Sequence, residues 1–152
     1  MQKTIDHLKK ITDDYSILLK KINEGEFAYK PNPSKWSKKE ILGHLVDSAQ
    51  NNIRRFVVSQ YEEKPLIVYQ QDAWVSISNY QHYSVKDLIQ LWILLNNHIC
   101  MVLGNCSPDA AARFCVTNDN TPHTIGWLAT DYIRHLLHHL HQILQLEPVD
   151  YS

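Results

Sequence analysis

The sequence predicts an all-α fold, a four-helix bundle, from three observations. Four long stretches repeat apolar residues at helical spacing, Ser-x-x-acid capping signals precede two of them, and no stretch sustains the apolar and polar alternation of a strand. At 152 residues the chain has the length of one ordinary domain with a full core, so residues 1–152 are read as a single domain.

The first helix is written by Ile5, Leu8, Ile11, Tyr15, Leu18, Leu19 and Ile22, and is expected to stop at Asn23-Glu-Gly25, where glycine can take the left-handed cap conformation. Two prolines make Lys30 to Ser34 a connection. Ser37-Lys-Lys-Glu40 fits a capping box, in which the hydroxyl takes an orphan amide and the carboxylate reaches back, so a second helix follows to about Tyr61. From Glu62 to Tyr83 the pattern weakens, apart from a short helical turn between Gln70 and Ile77. Ser84 with Asp87 opens the third helix, carried by Leu88, Leu91, Trp92, Leu95, Ile99, Val102 and Leu103 and expected to stop at Gly104. Cys106 to Asn120 reads as loop. The fourth helix starts from Thr121-Pro122 or from Thr124 and runs to about Leu146, ahead of Pro148.

Lys plus Arg number 15 against 16 Asp plus Glu, so no basic excess draws the chain to nucleic acid or to an anionic membrane. The N-terminal segment has no apolar signal core, and the most apolar run, Leu88 to Leu103, is interrupted by Gln90, Asn96, Asn97 and His98. The three cysteines form no Cys-x-x-Cys pair, which suits buried thiols in a reducing compartment. The expectation is a cytoplasmic protein.

Nine histidines stand out, four of them between His135 and His141. At about 100° per residue, His135 and His139 share the inward sector of helix four with Leu128, Tyr132, Ile143 and Leu146. The same wheel turns His138 and His141 outward, to solvent. Histidines four apart stack on neighbouring turns and can bind one ion. On helix two, His44 lies at the border of the apolar arc, beside Ser48, Asn51 and Arg55. Three imidazoles from facing helices, with one coordination position open, describe a catalytic rather than a closed structural metal site. A lone inward histidine is more often a hydrogen-bonded core residue, and His7, His82, His98 and His123 are read as ordinary core, surface or loop.

Trp36-Ser37-Lys-Lys-Glu40-Ile-Leu-Gly-His44-Leu-Val-Asp47-Ser48-Ala-Gln-Asn51 resembles the helix-two signature of the DinB-like superfamily, its YfiT-type branch in particular. His135-Leu-Leu-His138-His139-Leu-His141-Gln142-Ile143 is similar to the helix-four signature of that branch, in the expected order and distance. The likeness covers nearly the whole chain. It implies a four-helix bundle, usually dimeric, with zinc or nickel held at the positions matching His44, His135 and His139. Arg134 and Gln142 depart from the pattern, where an aromatic residue and a histidine are often found, and both departures bear on substrate preference rather than on metal.

Such an ion can generate hydroxide near neutral pH or polarise a carbonyl or a thiol. The expected function is therefore a metal-dependent enzyme acting on a small molecule, a hydrolase in the first reading. The second reading is transfer of a low-molecular-weight thiol such as bacillithiol, or a thiol-dependent isomerisation, as relatives are thought to do; the third is a metal-binding or stress-induced module without turnover. Asp47, three residues past His44, is either an orienter of an imidazole and proton acceptor or an ordinary exposed carboxylate. Asn51 and Arg55 are candidate contacts to a polar substrate.

Overall fold

A computed structural model describes residues 1–151, and its four long helices pack as the bundle the periodicity predicts. They are α1 (Gln2–Leu19), α3 (Lys38–Val58), α5 (Val85–Gly104) and α7 (Ile125–Leu144). α3 is the central element, against α5 on one side and α7 on the other, while α1 closes the bundle against α5 and α7. Trp92, Phe27, Phe56, Leu42 and Leu45 are among the side chains wholly withdrawn from solvent between these helices. By length and composition α5 would suffice to cross a membrane. Here it is a core helix, burying Leu88, Trp92, Ile99 and Leu103.

The cap at α3 forms as expected: Ser37 Oγ accepts from Glu40 N at 3.1 Å and Glu40 Oε2 accepts from Ser37 N at 2.7 Å. The end of α1 differs. α1 ends at Leu19, and Gly25 lies inside a short helix, α2 (Glu24–Ala28), whose N-cap is Asn23. Gly25 is thus not a left-handed cap, because no glycine among the described residues has positive φ, whereas α5 stops at Gly104 as expected. Of the four long helices, α7 alone ends in a left-handed stop, Gln145 at φ 55°.

The weakly patterned stretch after α3 carries α4 (Gln71–Ser78), close to the expected turn, and a 3₁₀ turn at Tyr80–His82. Cys106 to Asn120 is more ordered than a loop. It holds α6 (Pro108–Ala111) and strand β1 (Phe114–Val116), which pairs antiparallel with β2 (Pro122–Thr124). Pro122 therefore opens an edge strand rather than a helix, and Thr124 is the cap of α7, its Oγ accepting from Trp127 N at 3.1 Å.

Candidate metal centre

His44 enters from α3, one turn past the capping box, and His135 and His139 enter from the facing stretch of α7. The three side chains meet. Their ligand nitrogens all lie within 4.8 Å of one another, and His44 Nε2 stands 3.1 Å from His135 Nε2. Two imidazole nitrogens on a tetrahedral ion at about 2.0–2.1 Å are about 3.3 Å apart, so this spacing is close to that of a shared ion. Ring planes are nearly perpendicular, with centroids 4.6 to 5.0 Å apart, so the nitrogens rather than the ring faces converge.

The other ring nitrogens explain how the imidazoles are aimed. Ser48 Oγ lies 3.4 Å from His135 Nδ1, and Gln142 Oε1 lies 3.1 Å from His139 Nδ1. Gln142 thus accepts from the His139 Nδ1–H, leaving the Nε2 lone pair of His139 free, and Ser48 is placed to do the same for His135. His44, at the border of the apolar arc that faces α7, is 1% exposed, with the Trp36 ring 5.2 Å away. Its Nδ1 has no partner. One turn further along α3, Oδ2 of Asp47 is equally buried and equally unpartnered. Asp47 is not an exposed carboxylate, because Tyr80 crosses α3 and donates its hydroxyl to Oδ1 at 2.5 Å.

Burial holds the cluster neutral. Desolvation, and then the neighbouring His139, lower the His44 pKa from the ordinary 6.5 to about 3. Burial also drives His135 well down and lowers His139. Below about pH 6.5 the unfolded chain takes up protons that these three folded imidazoles refuse, so the metal-free protein loses stability as pH falls. Asp47 opposes this. Burial raises its carboxyl to about 6 despite the Tyr80 hydrogen bond, so below pH 6 the folded state protonates it first and gains stability. Three groups outweigh one, and metal-free protein is expected to melt at lower temperature at pH 5 than at pH 7, with a smaller drop in His135→Gln. Identical melting curves at the two pH values would refute the assignment.

A cavity of about 900 Å³ adjoins the cluster, with His135 and His139 in its wall. Arg55 and Ser48 line it from α3, Asp131 and Trp127 from α7, and Tyr151 from the C-terminal segment. Asn51 is buried outside this wall, its Nδ2 donating to Asp47 O at 2.9 Å. His138 and His141 are half-buried rather than solvated. His138 Nδ1 donates to Val149 O at 3.0 Å and His141 Nδ1 to Glu147 O at 2.7 Å, folding the tail back so that Tyr151 packs 5.3 Å from the His135 ring. His123 is at the cavity rim, stacked 3.9 Å from Trp127 and 2.7 Å from Asp119 Oδ2.

A sequence model of the DinB superfamily matches residues 7–143. The chain belongs to the DinB superfamily. No curated protein sequence matches this DinB-superfamily chain. Among solved structures it is similar to YfiT from Bacillus subtilis, described as a probable metal-dependent hydrolase with an unusual four-helix bundle topology, at TM-score 0.85 and 20% identity over 95% of this chain and 83% of that one. It is also similar to the mycothiol-dependent maleylpyruvate isomerase, at TM-score 0.77 and 14% identity over 97% of this chain. A histidine-to-alanine variant of that isomerase matches at TM-score 0.79 and 13% identity. This chain spans 61% of the isomerase's length, so the isomerase has a further portion without a counterpart here.

Proposed function

We propose that this DinB-superfamily chain is a metal-dependent enzyme, a hydrolase of a small molecule, whose His44, His135 and His139 hold one divalent ion, zinc or nickel. The observation that carries the reading is the convergence of three neutral imidazoles on one point in the wall of a roomy cavity. The donor set fits. Neutral nitrogen donors in a three-to-one arrangement with an open side suit zinc and nickel, and the orphaned, buried polar atoms around them are of the kind that bound metal and its supporting hydrogen bonds use up. When bound, such an ion lowers the pKa of a coordinated water toward neutrality and polarises an acyl oxygen.

The rest is the work of this chain. Ser48 and Gln142 fix the rings of His135 and His139, and Trp36 excludes water behind His44. Asp47, whose Oδ2 is buried and free one turn along α3, is assigned to orient His44 by accepting its equally free Nδ1–H. Loss of such a supporting carboxylate costs about 10- to 100-fold in metal affinity, so Asp47→Asn is expected to weaken binding by that factor in a chelator-competition titration. Unchanged affinity would remove Asp47 from the site.

The similarity to a mycothiol-dependent isomerase supports a second reading, a low-molecular-weight thiol as co-substrate. None of Cys100, Cys106 and Cys115 lines the cavity, so the thiol would come from outside the chain. The deciding experiment assays protein of measured metal content on a panel of esters and amides without thiol, and on electrophiles with bacillithiol. The hydrolase turns over the first panel; turnover only of the second replaces it with a transferase, and turnover of neither, with metal still bound, leaves a binding module.

A further inference from the structure

Arg55 is a buried residue of the cavity wall whose charge has no carboxylate partner in the fold. It is 8% exposed, and among the described residues no carboxylate lies within salt-bridge distance. Its hydrogen bonds go to neutral oxygens and all are long: Ile67 O at 3.2 and 3.3 Å, Asn118 Oδ1 at 3.3 Å and Asn52 Oδ1 at 3.5 Å. Arginine is almost never this buried without a charged partner, and removing an unpaired guanidinium from water costs several kcal/mol by general estimate. A protein carrying that cost inside its candidate reaction cavity has a use for the charge.

The position suits a ligand that also reaches the histidines. Arg55 lines the same cavity as His135 and His139. It follows Ser48, which touches His135, by seven residues, about 10 Å along the axis of α3. The Tyr69 ring, 5.8 Å from the guanidinium carbon, backs it. Arg134 is also on the cavity wall but is exposed, and it stands over the Tyr151 ring at 5.7 Å. The acidic groups on the wall are Asp72, Asp119 and Asp131, of which Asp119 is engaged by His123 and Asp131 accepts from the Tyr151 hydroxyl at 3.0 Å.

We propose that Arg55 is the recognition residue for a carboxylate on the substrate, which docks against the guanidinium fork while the reacting end of the molecule lies at the three-histidine cluster. The proposal rests on the cavity being the reaction site and adds the class of molecule it takes. A planar carboxylate matches the fork in two hydrogen bonds. A phosphate dianion matches it as well but concentrates two charges at the guanidinium, where the three aspartates repel them, whereas a carboxylate end brings one charge there, so the carboxylate is favoured.

The test does not depend on metal. Metal-free protein is titrated with succinate, glutarate and adipate, with their neutral diamides, and with inorganic phosphate, following the Arg55 Nε–H resonance by NMR and affinity by calorimetry. At least one diacid is expected to move that resonance and to bind about 10- to 100-fold more tightly than its diamide, the range for a charge-assisted hydrogen-bond pair. The preference should vanish in Arg55→Gln and shrink in Arg55→Lys, which keeps the charge but loses the fork. Diacids and diamides binding alike, or an unmoved resonance throughout, would make Arg55 a clasp for Ile67 and Asn118 only. Phosphate binding more tightly than every diacid would overturn the carboxylate assignment. Because the comparison uses folded wild-type protein, it stands even if a variant fails to fold, and a failed metal titration with a retained diacid preference would sink the metal reading alone.

Discussion

His139→Ala is expected to abolish stoichiometric metal binding while leaving the bundle intact. A structural zinc site of four ligands binds with about 10–16 kcal/mol, so one ligand in such a set is worth about 3–4 kcal/mol, or roughly 100- to 1000-fold in affinity. The fold should survive because alanine is the best helix former and His139 is only half-buried at the cavity wall. Its neighbour supplies the control. His138 is adjacent in sequence and half-buried too, but its Nδ1 is spent on Val149 O, so His138→Ala should loosen the tail without changing metal affinity. Metal content after dialysis and a competition titration against a chromophoric chelator read both variants. If His139→Ala kept one ion per chain at wild-type affinity, the three-histidine assignment would be wrong.

This contrast also shows where a sequence is legible. The wheel turns His135 and His139 inward with Leu128, Tyr132 and Ile143, and these three are buried on α7 because the stripe is set by helix geometry alone. It put His138 and His141 in solvent because a wheel sees one helix and not the chain that later folds over it. Here residues 147 to 151 return across α7 and use both imidazoles as donors. Capping chemistry was legible at Ser37, where hydroxyl and carboxylate act within four residues. It was ambiguous between Thr121 and Thr124, because both precede the same apolar stripe and only pairing with β1 decides between them. Strands of three residues, one beginning at a proline, are too short to alternate visibly. Asn23, capping the short helix α2, stands at the turn that Gly25 is expected to make, whereas α5 does end at Gly104 as expected.

Asp47 was illegible for a different reason, and it leads to the second large effect. What buries Asp47 is Tyr80, which comes from the weakly patterned connection and can cross α3 only because residue 43 is glycine. A Cβ at Gly43 would sit 2.1 to 2.6 Å from three carbons of the Tyr80 ring. No rotation of a side chain relieves this, since the added atom is fixed by the backbone and the ring is buried at 5% exposure. Gly43→Ala should therefore expel Tyr80, although alanine would favour the helix by about 1 kcal/mol. Overpacking of a tight core site costs about 1–3 kcal/mol, and losing the hydroxyl bond to the buried Asp47 adds about 1–3 kcal/mol more. The net expectation is a loss of about 2–4 kcal/mol in denaturant unfolding, with weaker metal binding because Asp47 loses the contact that holds it one turn from His44. The pair should be strongly non-additive. Gly43→Ala in a Tyr80→Ala background should cost little, since every clashing ring carbon is already gone, and a Tyr80→Phe background, which keeps the ring and removes the hydroxyl, separates the steric effect from the lost hydrogen bond. Equal penalties for Gly43→Ala with and without the ring would mean that the glycine does not make room for Tyr80, and the account of how Asp47 is held would fall with it.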